Sequence, residues 1–238
     1  MTSSGAVARS STLEALFPPG VFAYERREPG DVADLLPAEA ACCAGFAPKR
    51  AAEFAAGRAC AHAALAELGR HAVPIVARAD RSPDWPPGIV GSISHTNGFC
   101  AAVAARGSAF AGIGIDVENE GRIAPELWDQ VFVACERERL AALPEIARSR
   151  AASIAFCAKE AFYKCQYAVT GAWVDFQDAA VDIDAADADS GGFVIRAVGS
   201  SPAARTTLPL SGRFRIEAGL VAAAVAIVRT RDHRLLIA

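Results

Sequence analysis

The run Ile113-Gly114-Ile115-Asp116-Val117-Glu118 alternates apolar with small or acidic residues, the pattern of a strand whose two faces meet different surroundings. Ile113, Ile115 and Val117 point one way, and Gly114, Asp116 and Glu118 the other. Two carboxylates thus stand one pleat repeat apart on one face of an apolar strand. Anions that close repel when partly buried unless a cation lies between them, and a hard divalent ion such as magnesium suits oxygen donors. The alternative is an edge strand with a solvated acidic face.

A second cluster is Phe156-Cys157-Ala158-Lys159-Glu160-Ala161-Phe162-Tyr163-Lys164. On a helix Glu160 and Lys164 are i, i+4 neighbours, with Lys159 on the other flank of the apolar stripe. Taken alone this is an ordinary surface ion pair. A third, Gly91-Ser92-Ile93-Ser94-His95-Thr96-Asn97-Gly98, reads as a loop. It either presents N–H groups and an imidazole to phosphate or is a polar turn. Upstream, Arg50 and Arg58 share one face of a helix that also carries Lys49, Glu53 and Phe54. Guanidinium groups so arrayed suit a polyphosphate, or form a solvated helical face.

Around these clusters the chain reads as mixed α+β. Residues 1–20 form a loosely held arm. A helix runs from Pro37 to about Leu68, packing through Phe46, Phe54, Ala61 and Leu65 and stopping at Gly69. The connector Ser82-Pro83-Asp84-Trp85-Pro86-Pro87-Gly88 admits neither helix nor central strand. Strands follow at 99–105 and 111–118, then helices at 125–142 and 149–168. The last third consists of strands and hairpins, around Phe176–Ile183, Phe193–Ile195, Phe214–Ile216 and Leu220–Val228. A division near 107–112 separates residues 1–110 from 111–238.

Hydrophobic residues make up 53% and charged residues 21%, which supplies a core and excludes a wholly disordered chain. A net charge of −3 argues against a coat for nucleic acid. No apolar run reaches the ~18 residues of a membrane span, and the first residues lack the n- and h-regions of a secretion signal, so the expected location is cytoplasmic. The seven cysteines are odd in number and have no zinc-ligand spacing, so they read as reduced, packed thiols.

In order and spacing, GSISH at Gly91–His95, GIDVE at Gly114–Glu118 and FCAKEAFYK at Phe156–Lys164 resemble the 4′-phosphopantetheinyl transferases of the surfactin/enterobactin-synthase type. The KRxxEFxxGRxCAxxAL pattern at Lys49–Leu65 and the stretch WPPGIVGSISH are similar to that family too. The likeness covers roughly residues 45–228. It implies two similar α+β subdomains in a pseudo-twofold arrangement within one chain, with the active site at their interface, and hence a monomer. It also implies transfer of the phosphopantetheine arm of coenzyme A to a serine of an apo acyl or peptidyl carrier protein, releasing adenosine 3′,5′-bisphosphate.

By position, Asp116, Glu118 and Glu160 match magnesium ligands, with manganese satisfying the same oxygens. Arg50, Arg58 and His95 match phosphate contacts to coenzyme A, and Lys159 and Lys164 match lysines near the pyrophosphate. Ser94 and the Asp84–Trp85–Pro86 region fall near the nucleotide. Asp116, Glu160 and Lys164 carry the catalytic expectation. Lys164 steadies the leaving bisphosphate, and Glu160, or a magnesium-bound water beside Glu118, takes the serine proton. Arg122, Arg137, Arg139, Arg148 and Arg150, with Leu127 and Val131–Phe132–Val133, are candidate carrier-docking residues; the arginines read equally as a solvated rim. Pathways such as siderophore, peptide and polyketide synthesis fit. The competing class is a noncatalytic coenzyme-A-binding scaffold.

Overall fold

The computed structural model describes residues 6–199, 201–229 and 235–237. Its strands are β1 (Ala8–Arg9), β2 (Val21–Arg26), β3 (Ile89–Thr96), β4 (Phe99–Arg106), β5 (Phe110–Asn119), β6 (Ala179–Ile183), β7 (Ser190–Ala197), β8 (Leu210–Glu217), β9 (Leu220–Arg229) and β10 (Leu235–Ile237). Its α-helices are α1 (Ser11–Glu14), α2 (Pro37–Cys43), α3 (Pro48–Glu67), α4 (Trp128–Val131), α5 (Ala134–Ala141), α6 (Glu145–Thr170) and α7 (Pro202–Thr207).

Two antiparallel sheets form, one in the order β1-β2-β4-β3 and one running β10-β9-β8-β7-β6, with β5 also paired to β9. The sheets lie face to face. Odd-numbered residues of β4 (Phe99, Ala101, Val103, Ala105) meet Ile113, Ile115 and Val117 of β5 and Ala222, Ala224 and Ala226 of β9. The outer face of the first sheet packs on α3 through Cys60, Ala61, Ala64 and Leu65. That of the second packs on α6 through Ile154, Cys157, Ala158, Ala161 and Cys165. The result is a helix–sheet–sheet–helix stack. Because both faces of β4 and β9 are covered, their sequences FCAAVAAR and LVAAAVAIVR are apolar at consecutive rather than alternate positions.

The halves share a topology. A strand, a long helix and a hairpin follow in order, and the opening strand pairs with the second strand of the hairpin. This is β2–α3–β3–β4 in the first half and β5–α6–β8–β9 in the second, where β6–β7 is an added hairpin. The α+β class and the two-subdomain organisation read from the sequence are those of the fold.

Several local expectations are corrected. Beyond the first five residues, which lie outside the described ones, the N-terminal arm is packed: Leu13, Leu16 and Phe17 are buried between the sheets. The helix expected from Pro37 to Leu68 breaks at Ala44–Ala47, where Gly45 takes φ +93° and Pro48 opens α3. Phe46, expected in the core, is exposed, although its ring meets Phe54 edge-on. Gly91–His95 is strand β3 rather than a loop. The helix expected at 125–142 is interrupted at Phe132 and Val133, which are extended. The cause is tertiary: the Val131 carbonyl accepts from Lys159 Nζ, and Glu136 Oε2 accepts from the Val133 amide to start α5.

Val131, Phe132 and Val133 are buried, which removes them from the candidate docking surface and leaves Leu127 exposed. The five candidate arginines all have internal partners. Arg139 pairs with Asp182, Arg150 with Glu120 and Asp189, Arg137 with Asp129 and Arg122 with Glu118, and Arg148 donates to Leu143 O. No helix among the described residues is long and apolar enough to cross a membrane.

Candidate active site

The site is assembled by a close approach of α6 to β5. A Cβ on Gly114 would collide with the carbonyl oxygen of Ala161, and one on Gly112 would sit 2.5 Å from that of Cys165. The two glycines let the helix press onto the polar face of the strand. The next polar-face residue, Asp116, therefore lies beneath Lys164, whose Nζ donates to Asp116 Oδ1 at 2.6 Å and to Ile115 O at 3.3 Å. Burial opposes charge on Lys164, but Asp116 and Glu160 outweigh it and raise the ammonium above its ordinary range.

From the other side, β3 meets β5 through hydroxyl groups. Ser92 Oγ accepts from Ile115 N at 3.2 Å and donates to Ile115 O at 3.4 Å. Ser94 Oγ accepts from Val117 N at 3.1 Å and donates to Asp116 Oδ1 at 2.8 Å. Thr96 Oγ1 donates to Glu118 Oε2 at 2.6 Å and accepts from Asn119 Nδ2 at 3.0 Å. Side chains close the seam where no backbone ladder joins the sheets.

Over this seam lies a cavity of about 400 Å³ lined by Arg50, Arg58, Ser94, His95, Asp116, Glu118, Glu160 and Lys164, with Glu53, Phe54, Arg81 and Phe156 among the further residues. Arg50 contacts the His95 ring, and Glu53 Oε2 stands 3.7 Å from Arg50 and 3.6 Å from His95. Arg58 is buried. Its Nε donates to Ile75 O at 2.7 Å and its guanidinium lies 3.9 Å over the Phe54 ring. Burial lowers Arg58 to about 10, so it stays cationic at neutral pH. The cavity thus gathers Arg50 and Arg58, with Glu53 beside Arg50, and the carboxylates of Asp116, Glu118 and Glu160, with Lys164 bonded to Asp116.

A model of the 4′-phosphopantetheinyl transferase N-terminal domain matches residues 38–105, and a model of the 4′-phosphopantetheinyl transferase superfamily matches 112–214. 4′-Phosphopantetheinyl transferase Svp of Streptomyces mobaraensis is 38% identical over 206 residues, which is 84% of this chain and 81% of that protein. The chain belongs to this superfamily. Similar too are 4′-phosphopantetheinyl transferase PptT of Mycobacterium tuberculosis, 35% identical over 81% of this chain and 86% of that protein, and enterobactin synthase component D of Escherichia coli strain K12, 39% identical over 54% and 61%.

One residue expected at the phosphates of a transferase of this family lies elsewhere. Lys159 is 2% exposed and does not line the cavity. Its ammonium donates to Glu136 Oε2 at 2.7 Å, Val131 O at 2.8 Å and Phe176 O at 2.8 Å. An ammonium has three protons and all are used, so Lys159 ties the segment before α5 to α6. Burial, partly offset by Glu136, lowers its pKa. Trp85 packs against Gly91 and lines a neighbouring cleft of about 560 Å³ that shares Arg81, Pro83, Ile93 and Lys164 with the cavity, while Asp84 pairs with Arg78.

The donor set fits the divalent cation that the family resemblance implies, although it is not closed on a point. Among the described residues no three His, Cys, Asp or Glu stand together at ligand spacing. Asp116 Oδ2 is nevertheless buried with no hydrogen-bond partner among those residues, an expensive state for a carboxylate oxygen. Burial raises Glu160, and the charges of Asp116 and Glu118 add to that rise against the pull of Lys164. Excess negative charge and an orphaned oxygen are what a cation relieves.

Thr96 and Arg81 escaped the sequence reading. Thr96 was hidden because residues 91–98 read as a loop; the alternation Ser92, Ser94, Thr96 in a strand was the available signal. Arg81 reaches the cavity from a left-handed backbone position, φ +70°, just before the connector, and nothing in the sequence marks it.

Proposed function

We propose that the protein transfers the 4′-phosphopantetheine arm of coenzyme A to a serine hydroxyl of an apo acyl or peptidyl carrier protein and releases adenosine 3′,5′-bisphosphate. One observation carries this reading. Residues from three separated motifs and the early helix line a single cavity, which brings Arg50, Arg58 and Lys164 together with Asp116, Glu118 and Glu160. A diphosphate ester needs cations along its length, and its transfer is chiefly a matter of positioning and charge neutralisation.

In this reading residues 1–110 supply the phosphate contacts, Arg50, Arg58 and His95, and residues 111–238 supply the reacting groups. Asp116 and Glu118 hold magnesium or manganese, with Glu160 facing the same space from α6. The cation, when bound, neutralises charge on the pyrophosphate oxygens. The carrier serine attacks the β-phosphorus, the bond from that phosphorus to the bridging oxygen breaks, and the departing bisphosphate keeps that oxygen and its electron pair. Lys164, cationic and lining the cavity beside Asp116, steadies the charge that builds there. Glu160 takes the serine proton. It has no hydrogen bond among the described residues, and its burial makes it a better base than an ordinary surface carboxylate. The names of the enterobactin synthase relatives favour carrier domains of siderophore, peptide or polyketide synthesis.

The deciding experiment is to incubate the protein with coenzyme A, magnesium and an apo-carrier protein and then weigh the carrier. A gain equal to one phosphopantetheine is expected. Binding of coenzyme A with no gain would identify the scaffold instead, and the absence of both binding and gain would exclude this substrate.

A further inference from the structure

We propose that Thr96 is a positioning residue whose hydroxyl, set between Asn119 and Glu118 across the sheet seam, fixes one oxygen of Glu118 and turns the other toward the cation. The proposal rests on the reading of Asp116 and Glu118 as cation ligands.

The three hydroxyls that β3 turns toward β5 differ in what they hold. Ser92 bonds only backbone, to Ile115. Ser94 bonds backbone at Val117 and a carboxylate at Asp116. Thr96 bonds side chains alone. An ionised carboxylate can only accept, so the single hydroxyl proton of Thr96 points at Glu118 Oε2. Asn119 must then present its amide NH₂ to the Thr96 oxygen, which fixes the hydroxyl rotor from behind.

At both acidic residues one oxygen is anchored and the other left over. Asp116 Oδ1 takes Ser94 and Lys164, while Oδ2 has no hydrogen-bond partner among the described residues. Glu118 Oε2 takes Thr96, with Arg122 Nε 3.1 Å away, while Oε1 carries no hydrogen bond among the described residues. Thr96 is 7% exposed, so water competes little for its bond. As a neutral donor it orients the carboxylate without offsetting the negative charge that attracts a cation, as Arg122 does. Thr96 lines not the Asp116 cavity but an adjoining one of about 230 Å³ that shares Glu53 and His95 with it, and its link to the acidic residues is the bond to Glu118.

The test is a Mn²⁺ titration followed by electron paramagnetic resonance, on the full chain with and without coenzyme A. Thr96→Val keeps the shape and removes the donor, and is expected to weaken Mn²⁺ binding about 10- to 100-fold, the usual cost of losing a group that orients a metal ligand. Thr96→Ser, which keeps the hydroxyl, should restore it. In the transfer assay the Mg²⁺ activation constant of Thr96→Val should rise while KM for coenzyme A at saturating Mg²⁺ stays put. Should Thr96→Val fail to fold, Asn119→Ala, which removes the bond behind the hydroxyl, should weaken Mn²⁺ binding by a smaller factor. Wild-type Mn²⁺ affinity in the folded Thr96→Val protein, or in Asn119→Ala where that variant stands in, overturns the proposal. If the unaltered protein binds no Mn²⁺ and modifies no carrier, the underlying site assignment fails instead, and Thr96 with it.

Discussion

Ser94 on β3 donates to Asp116 on β5 at 2.8 Å while accepting from Val117 N at 3.1 Å, so one hydroxyl both joins the two sheets and orients the central carboxylate. Ser94→Ala leaves the Val117 amide and Asp116 Oδ1 each short of a partner. The expected cost is about 2 kcal/mol, or a Tm lower by roughly 4–8 °C for a chain this size. Calorimetry checks this; an unchanged Tm would show that the seam does not depend on Ser94.

Asp116→Asn keeps the shape and an acceptor for Lys164 but removes the charge. Carrier modification, measured by mass, should fall about 10²–10³-fold or more, with circular dichroism unaltered. Turnover within a few-fold of the unaltered enzyme would remove Asp116 from the chemistry.

Arg50 and Arg58, which line the cavity, are the proposed contacts to the cosubstrate. Replacing either by Ala, or His95 by Ala, should raise KM for coenzyme A about 10- to 100-fold, the equivalent of a charge-assisted contact. The rate constant at saturation should change far less, because these contacts exist before the transition state. Steady-state kinetics at varied coenzyme A decides it, and three unchanged KM values would strip these residues of that role.

Lys159 should behave as part of the frame. Lys159→Met strands Glu136 in the core and is expected to cost about 3–5 kcal/mol in urea unfolding. A normal unfolding midpoint combined with a raised KM for coenzyme A would return Lys159 to the phosphates.

Glu39 gives an acid-side signature. It is fully buried and accepts from His62 Nε2 at 2.9 Å, Ile75 N at 2.8 Å and Leu36 N at 3.2 Å. Burial by itself pushes its pKa up, but the bonds from His62, Ile75 and Leu36 outweigh that and hold it below the ordinary value. A carboxylate lowered on folding adds stability above its unfolded pKa of about 4.3 and loses it as pH falls through the folded value. Glu39→Gln should therefore lower stability at neutral pH and flatten its decline below about pH 4.3. Urea midpoints across that range measure the slope, and an unaltered slope would assign the acid sensitivity to other carboxylates.

Much of this was legible in the chain itself. The alternation at 113–118, the helical stripe through Ile154, Cys157, Ala161 and Cys165, and the Gly-bounded hairpins fix local periodicity, and local periodicity is a property of neighbours in sequence. Motif order then gave the family, the α+β class and eight of the residues that line one cavity: Arg50, Arg58, Ser94, His95, Asp116, Glu118, Glu160 and Lys164.

What the sequence could not determine depends on which distant groups meet. Lys159 and Lys164 lie on one helix and both read as phosphate ligands, yet one ammonium is consumed by Glu136 and two carbonyls while the other reaches Asp116. The break at Phe132 coincides with the same contacts, since Lys159 holds the Val131 carbonyl and Glu136 the Val133 amide. The hydroxyls of Ser92, Ser94 and Thr96 became ties only when β3 came to lie beside β5. Hydrogen bonds and burial are settled by proximity in space, and for these residues the partners lie 17 to 28 positions away or more.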